Sequence, residues 1–377
     1  MGLVRLFLAC VVAAGHWRIL KLIPRSIEIE DTVLFGFNAG YAVMFFYVIS
    51  GFLITYTLSC NYDYNIRGVL KFYTNRAIRI FSLYWPVVAL AFILIDHSWA
   101  QFWTATFPDK LTGVSLLGLD WRVAFASYPA THFEAAINGL QQAWTLGAEL
   151  TFYVMAPLLM RSWRIGLVLL VSSLVLRAAF VWQLGPAIHD TWTYHFAATT
   201  LCFFMAGHLV CLASRYWRPL SMPIIGVTFL ACSVAIMMFG GSYANFDTPR
   251  FWGSVVSFTI ALPGLFELTK NVRWMNVAGD LSYPVYLIHT LVLILLGPTL
   301  IDFALPLSLL PPAEAGYTSM AAYVVLAVLV ATLIHKVIEI PVARLMHRIA
   351  NRSVTSTLYA YDRARLAYLQ VGKKGPP

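Results

Sequence analysis

Arg5 and His16 stand eleven residues apart in the apolar stretch that opens the chain. On an α-helix that spacing is a rotation of about 1100°, about 20° beyond three full turns, with a rise of about 16.5 Å. One face of one helix therefore carries a guanidinium near its first turn and an imidazole near its last. A neutral imidazole can take the proton of a hydroxyl as that oxygen attacks, and a guanidinium can face a phosphate. The same spacing also suits a snorkelling anchor arginine and an interfacial histidine beside Trp17.

Three further groupings have chemical potential. In Phe72-Tyr73-Thr74-Asn75-Arg76-Ala77-Ile78-Arg79 the two arginines are three apart and share a helix face, so they can hold phosphates by paired charged hydrogen bonds or simply anchor a span on its basic side. In Trp144-Thr145-Leu146-Gly147-Ala148-Glu149 the carboxylate must be paired, protonated or turned to an aqueous cavity. Glu149 can orient a histidine, receive a sugar hydroxyl, or pack helices. In Ser282-Tyr283-Pro284-Val285-Tyr286-Leu287-Ile288-His289 the histidine lies in apolar sequence, where a hydrogen-bonded structural role is the commoner one. Glu339 is expected to pair with Lys336 or Arg344. His97, His132, His189, His195 and His208 have no ligand spacing, so no metal is expected. Neither a Gly-x-Ser-x-Gly elbow nor a glycine-rich phosphate loop is present.

The elements that position these residues follow from composition. Of 377 residues 60% are apolar or aromatic and 11% charged, against roughly 25% charged in a soluble domain. A soluble globule is excluded, and the expected fold is all-α, a polytopic membrane protein. Apolar runs give about ten transmembrane helices in one bundle, near 3–20, 35–58, 80–96, 143–160, 164–182, 194–213, 222–239, 252–269, 281–301 and 317–339. Residues 1–343 form the transmembrane domain and 344–377 a basic cytoplasmic tail. The opening run reads as a retained first span rather than a cleaved leader. The net charge of +9 is distributed in short groups between apolar runs, which argues against a nucleic-acid partner.

Those groups (Arg67 to Arg79, Arg161 and Arg164, Arg215 and Arg218, Lys270 and Arg273, and Lys336 to Lys374) fall on one side if both termini are cytoplasmic. The aromatic-rich segment 97–142 then lies outside, with Leu111–Leu119 a candidate re-entrant stretch. The five cysteines make no disulfide or metal pattern. No internal repeat is evident, which weakens an inverted-repeat transporter.

Taken in order, these segments resemble the acyltransferase-3 family of polytopic membrane enzymes, over nearly the whole chain. The basic residue with histidine eleven on matches Arg5 and His16. The phenylalanine-rich Ser-Gly-Phe segment matches Phe45-Phe46-Tyr47-Val48-Ile49-Ser50-Gly51-Phe52, the paired arginines match Arg76 and Arg79, the Trp-Ser-Leu-x-x-Glu segment matches Trp144 to Glu149, and the late Ser-Tyr segment matches Ser282 to His289. Departures are Ser82 where proline is common, Thr145 for serine, and a bulky Tyr47 before Ser50.

The resemblance implies an intramembrane active-site cavity and transfer of an acyl group, acetyl being expected, from cytoplasmic acyl-CoA to a hydroxyl of an envelope or exported carbohydrate. It implies His16 as base or acyl relay with Glu149 orienting it or the acceptor. Arg5, Arg76, Arg79 and Tyr73 would hold the donor, and Ser50, Trp144, Tyr283 and His289 the substrate. The implied location is the bacterial inner membrane with both termini cytoplasmic; an oligomer is not implied. The alternative from another class is a transporter or flippase of an acylated or sugar substrate.

Overall fold

A computed structural model describes residues 1–17, 38–63, 65–95, 98–126, 140–160, 162–184, 192–239, 247–304 and 312–351. Among the described residues the regular structure is helical throughout. In chain order the helices are α1 (Gly2–His16), α2 (Ala39–Asn61), α3 (Ile66–Leu94), α4 (Ser98–Thr104), α5 (Phe107–Ser115), α6 (Leu119–Ala126), α7 (Trp144–Leu159), α8 (Trp163–Leu184), α9 (Ala197–Tyr216), α10 (Pro223–Phe239), α11 (Pro249–Thr269), α12 (Arg273–Ala304) and α13 (Pro312–Ile334). A π-turn at His335–Glu339 extends α13, and helix continues from there to residue 351. The tail beyond 351 lies outside the described residues.

Seven helices (α2, α3, α8, α9, α11, α12 and α13) are long and apolar enough to cross a membrane, and α1 and α10 are shorter apolar helices. Each of the ten expected windows falls on a helix; α7, with 16 residues, carries Glu149. The main difference lies in α3, which begins fourteen residues before its window. Its first turns hold Arg67, Lys71, Arg76 and Arg79, so an apolar run registers only the membrane part of a longer amphipathic helix. Asn65 starts it by accepting from the Gly68 amide at 2.8 Å, as Asn38 starts α2 by accepting from Gly40 at 2.7 Å.

The helices that meet most extensively are α10 with α11, α2 with α9, α1 with α12, α8 with α9, and α12 with α13. α1 thus sits between α2 and α12, and α7 touches α2, α3 and α9. Small residues let backbones meet where the bundle is tightest. Gly51 of α2 and Gly207 of α9 face each other's helices so closely that a Cβ on Gly51 would lie 1.9 Å from the Phe204 carbonyl oxygen, and one on Gly207 2.0 Å from that of Val48.

Outside this bundle, α5 and α6 form a short hairpin. Its tip, Leu116 at φ 64° and Gly118 at φ 75°, turns the chain, and Leu116 is fully buried where α7 offers Gly147. Tyr84 donates to the Gly113 carbonyl and Trp85 Nε1 to that of Val114, which fasten the hairpin to α3. An Arg122–Asp109 ion pair links its arms at 2.5 Å.

Candidate active site

Gly15 of α1 abuts Ala39 of α2, and Gly2 abuts Gly279 of α12. At 1.5 Å per residue, Ser50 and Ser282 are therefore level with Arg5, and His289 is within about one turn of His16. Two polar centres result, one at each end of α1.

The lower centre is a cleft between α1, α2, α7 and α12, walled by Arg5, Tyr47, Ser50, Glu149, Tyr283 and Tyr286 among others. Glu149 is its hub: its Oε1 accepts from Ser50 Oγ at 3.0 Å and from the Tyr153 hydroxyl. The Tyr153 ring in turn lies 5.5 Å from the guanidinium carbon of Arg76. Tyr283 lines the same cleft but donates its hydroxyl to the Ile80 carbonyl at 2.7 Å, tying α12 to α3. The Tyr47 hydroxyl is buried, with no hydrogen-bond partner among the described residues. Arg5 also lines a second opening, with Met1, Lys270, Asn271, Asn276 and Asp280. One side chain thus lines both the cleft and an opening rich in polar groups.

The upper centre is a pair of imidazoles. His16 and His289 have ring centroids 4.8 Å apart in an edge-on arrangement. His16 Nδ1 is 2.8 Å from the Val12 carbonyl and His289 Nδ1 is 2.7 Å from that of Tyr286. A carbonyl only accepts, so both Nδ1 atoms carry the proton and both Nε2 atoms keep a lone pair in the neutral ring. Tyr286 joins the two centres. Its ring is 5.9 Å from that of His289, and its hydroxyl meets Thr145 Oγ1 at 2.5 Å on the cleft wall. Thr145 itself donates to the Gln142 carbonyl at 2.9 Å, so Tyr286 is the donor to Thr145.

The remaining candidates lie around these centres. The hydrogen bonds of Glu149 go to Ser50 and Tyr153, while that of His16 goes to its own helix. Arg76 stacks over Phe72 as well as Tyr153, with Nε buried and unpartnered, and borders a lateral apolar groove of about 900 Å³ beside Phe81, Trp85 and Leu150. Arg79 is exposed on α3, near enough for its charge to act on Arg5 and Tyr283. Tyr73 donates to the Val154 carbonyl at 2.6 Å, joining α3 to α7. Trp144 turns from the cleft to Tyr194 and His195, with centroids 4.9 and 4.4 Å away. Glu339 pairs with His335 at 2.6 Å across the π-turn rather than with Lys336 or Arg344. No group of His, Cys, Asp or Glu suited to a metal occurs among the described residues.

The family model described as an acyltransferase domain matches residues 1–336. The chain belongs to the acyltransferase-3 family. It is 30% identical over 316 residues, 77% of this chain and 82% of the relative, to nodulation protein 10 of Rhizobium leguminosarum bv. viciae. No solved structure matches. The family match, with the spanning helices, makes this an integral membrane acyltransferase.

Several residues that build this acyltransferase carry no local signal. Gln142, in a 3₁₀ turn (Gln141–Ala143) ahead of α7, donates to the Leu287 carbonyl at 2.6 Å and accepts from Thr290 at 2.7 Å. Both partners lie more than 140 positions on, and together they hold α7 against α12 next to His289. Asp120 is fully buried at the start of α6. It accepts from the backbone of its own first turn and from the Ala197 amide that opens α9; burial nonetheless pushes its carboxyl up to about 6. Arg177 is buried in α8, pairs with Asp247 at 2.5 Å, donates to the Thr193 carbonyl, and lies over Phe203, Phe251 and Trp252. A lone cation in an apolar run signals a partner but not which one.

Proposed function

We propose that the chain is a membrane O-acyltransferase moving an acyl group, acetyl being expected, from cytoplasmic acyl-CoA to a hydroxyl of an envelope or exported carbohydrate. The observation that carries this reading is the fixed tautomer of His16: Nδ1–H is committed to Val12, so Nε2 is the base. In the reaction, Nε2 takes the acceptor hydroxyl proton as the oxygen forms its bond to the thioester carbon. The tetrahedral intermediate then breaks its C–S bond, and the departing coenzyme A sulfur takes that proton back. His16 ends as it began.

In this reading the donor approaches from the side of Met1 and Lys270, through the opening that shares Arg5 with the cleft, with Arg79 and Arg76 contributing positive charge for its phosphates. Glu149, held by Ser50 and Tyr153, balances the Arg5 charge and can receive an acceptor or donor hydroxyl. Tyr283 and Tyr73 set the helices around the thioester arm, while Trp144 backs the aromatic surface under the acceptor. Both termini are cytoplasmic and the membrane is the bacterial inner membrane.

The test is His16→Ala in cells, read by mass spectrometry of envelope glycans and secreted metabolites. The expected result is loss of an acyl-sized mass with the protein still inserted and abundant; full acylation refutes the base assignment. Arg76→Ala with Arg79→Ala is expected to raise KM for acyl-CoA, and unchanged donor kinetics remove the arginines from the phosphate role. Protein in liposomes that neither binds nor hydrolyses labelled acetyl-CoA would instead favour transport.

A further inference from the structure

We infer that Tyr47 binds the donor: its free hydroxyl donates to an amide carbonyl of the pantetheine arm as the arm passes through the cleft. The inference rests on acyl-CoA as the donor.

Six residues that wall the cleft carry a hydroxyl, and five of these hydroxyls are spent within the protein. Ser50 donates to Glu149 at 3.0 Å and Thr145 to the Gln142 carbonyl at 2.9 Å. Ser282 donates to the Gly279 carbonyl and Tyr283 to that of Ile80, both at 2.7 Å, and Tyr286 donates to Thr145 at 2.5 Å. Tyr47 is the exception. It is 3% exposed, and its hydroxyl has no hydrogen-bond partner among the described residues.

A buried hydroxyl left unpaired is destabilising, and a Phe would fill the same space without it. The Tyr47 ring is fixed by stacking on Phe204, with centroids 4.6 Å apart, so a partner gains a hydrogen bond at little cost in side-chain freedom. Tyr286, Tyr194 and Glu149 lie near enough to act on the hydroxyl electrostatically. Tyr47 precedes Ser50 by three residues, about 4.5 Å nearer the imidazoles. It therefore stands above Arg5 on the way from one polar centre to the other.

What passes that point decides what the hydroxyl meets. With the phosphates of acyl-CoA below and the thioester above, the stretch between them is pantetheine, an uncharged chain whose strongest acceptors are its two amide carbonyls. The Tyr286–Thr145 bond closes this stretch, and an arm that exchanges for it brings a carbonyl to the Tyr47 hydroxyl. Tyr47 makes no covalent bond and moves no proton; it holds the arm.

The experiment titrates the purified full chain in detergent, by calorimetry, with CoA and with adenosine 3′,5′-bisphosphate, which keeps the nucleotide end and lacks the arm. Tyr47→Phe is expected to weaken CoA roughly fivefold to tenfold, the worth of one hydrogen bond, and to leave the bisphosphate within twofold. KM for acetyl-CoA in membrane vesicles rises by the same factor, with kcat within twofold. Without ligand the variant unfolds at a higher temperature, which separates a lost ligand contact from a damaged fold.

Equal CoA affinity in the two proteins, equal weakening of both ligands, a loss confined to kcat, or a lower unfolding temperature overturns the inference. If the bisphosphate binds too weakly to titrate, the CoA ratio and the unfolding temperature decide together. CoA that does not bind the unaltered protein overturns the acyl-CoA reading itself, and this inference with it.

Discussion

Gly51→Ala tests whether the crossing of α2 and α9 sets the geometry of the cleft. The new Cβ would stand 1.9 Å from the Phe204 carbonyl oxygen, a backbone atom that no rotamer change can move. Restoring ordinary contact requires the two helices to part by about 1.5 Å. Overpacking of this kind costs about 1–3 kcal/mol, and the upper end is expected because backbone meets backbone. Ser50, the neighbouring residue, bonds Glu149 at 3.0 Å; a shift of that size takes the pair beyond hydrogen-bond range. Gly207→Ala produces its clash, 2.0 Å from the Val48 carbonyl, at the same crossing. One separation of the helices relieves both, so the double variant should cost little more than either single one. Thermal unfolding in detergent and acyl incorporation in vesicles measure the two effects. Additive stability losses, or a Gly51→Ala protein that keeps wild-type unfolding temperature and activity, would refute the argument.

Three other perturbations have defined outcomes. Arg177→Met leaves Asp247 without its partner in a site where the two side chains are 2% and 10% exposed; about 3–5 kcal/mol should be lost in thermal unfolding. Most of it should be regained in Arg177→Met with Asp247→Asn, since Asn tolerates the positive φ of 67° at that position. Asp120 holds its proton in the native state up to about pH 6 against an ordinary value near 3.8. Its contribution is therefore fully present below about pH 4, lost as pH rises through about 6 and flat above, at most about 3 kcal/mol in all, and unfolding of Asp120→Asn measured across that range should lack this slope. Tyr47→Phe removes a buried unpartnered hydroxyl from the cleft and should raise the unfolding temperature, a drop in stability showing that the hydroxyl has a partner.

What the sequence conveys is what depends on one helix at a time. The eleven-residue interval predicts that Arg5 and His16 share a face at two depths, and α1 carries them so. Each apolar window marks a helix, though it misses the charged first turns of α3, and α4, α5 and α6 lie outside every window. Lateral arrangement is another matter. Nothing within Trp144–Glu149 says that Glu149 faces Ser50 while Trp144 turns to Tyr194 and His195; that follows from how α7 seats against α2 and α9. Arg177 and Asp247 are 70 positions apart, and Gln142 reaches its partners across still longer separations, so their pairing is written only in the packed bundle. Tyr73 shows the same limit, since helix periodicity places it near Arg76 but does not reveal that its hydroxyl is taken by Val154.

The separation of the two polar centres is itself a chemical constraint. A group held by Arg5 and a group deprotonated by His16 are about 16.5 Å apart along one helix, too far for a single small substrate to touch both. On the proposed mechanism the donor is therefore long and enters with its charged end down, its reactive end reaching past Tyr286. The Tyr286–Thr145 hydrogen bond lies on that route, between the cleft and the imidazole pair. Two neutral hydroxyls can exchange this bond for one to a thioester arm at little net cost, whereas an ion pair in the same place would resist displacement. At the lower centre, by contrast, Glu149 is held by hydrogen bonds from Ser50 of α2 and Tyr153 of its own helix. On that proposal, the donor that suits the arrangement is one whose length matches the helix that separates the two centres.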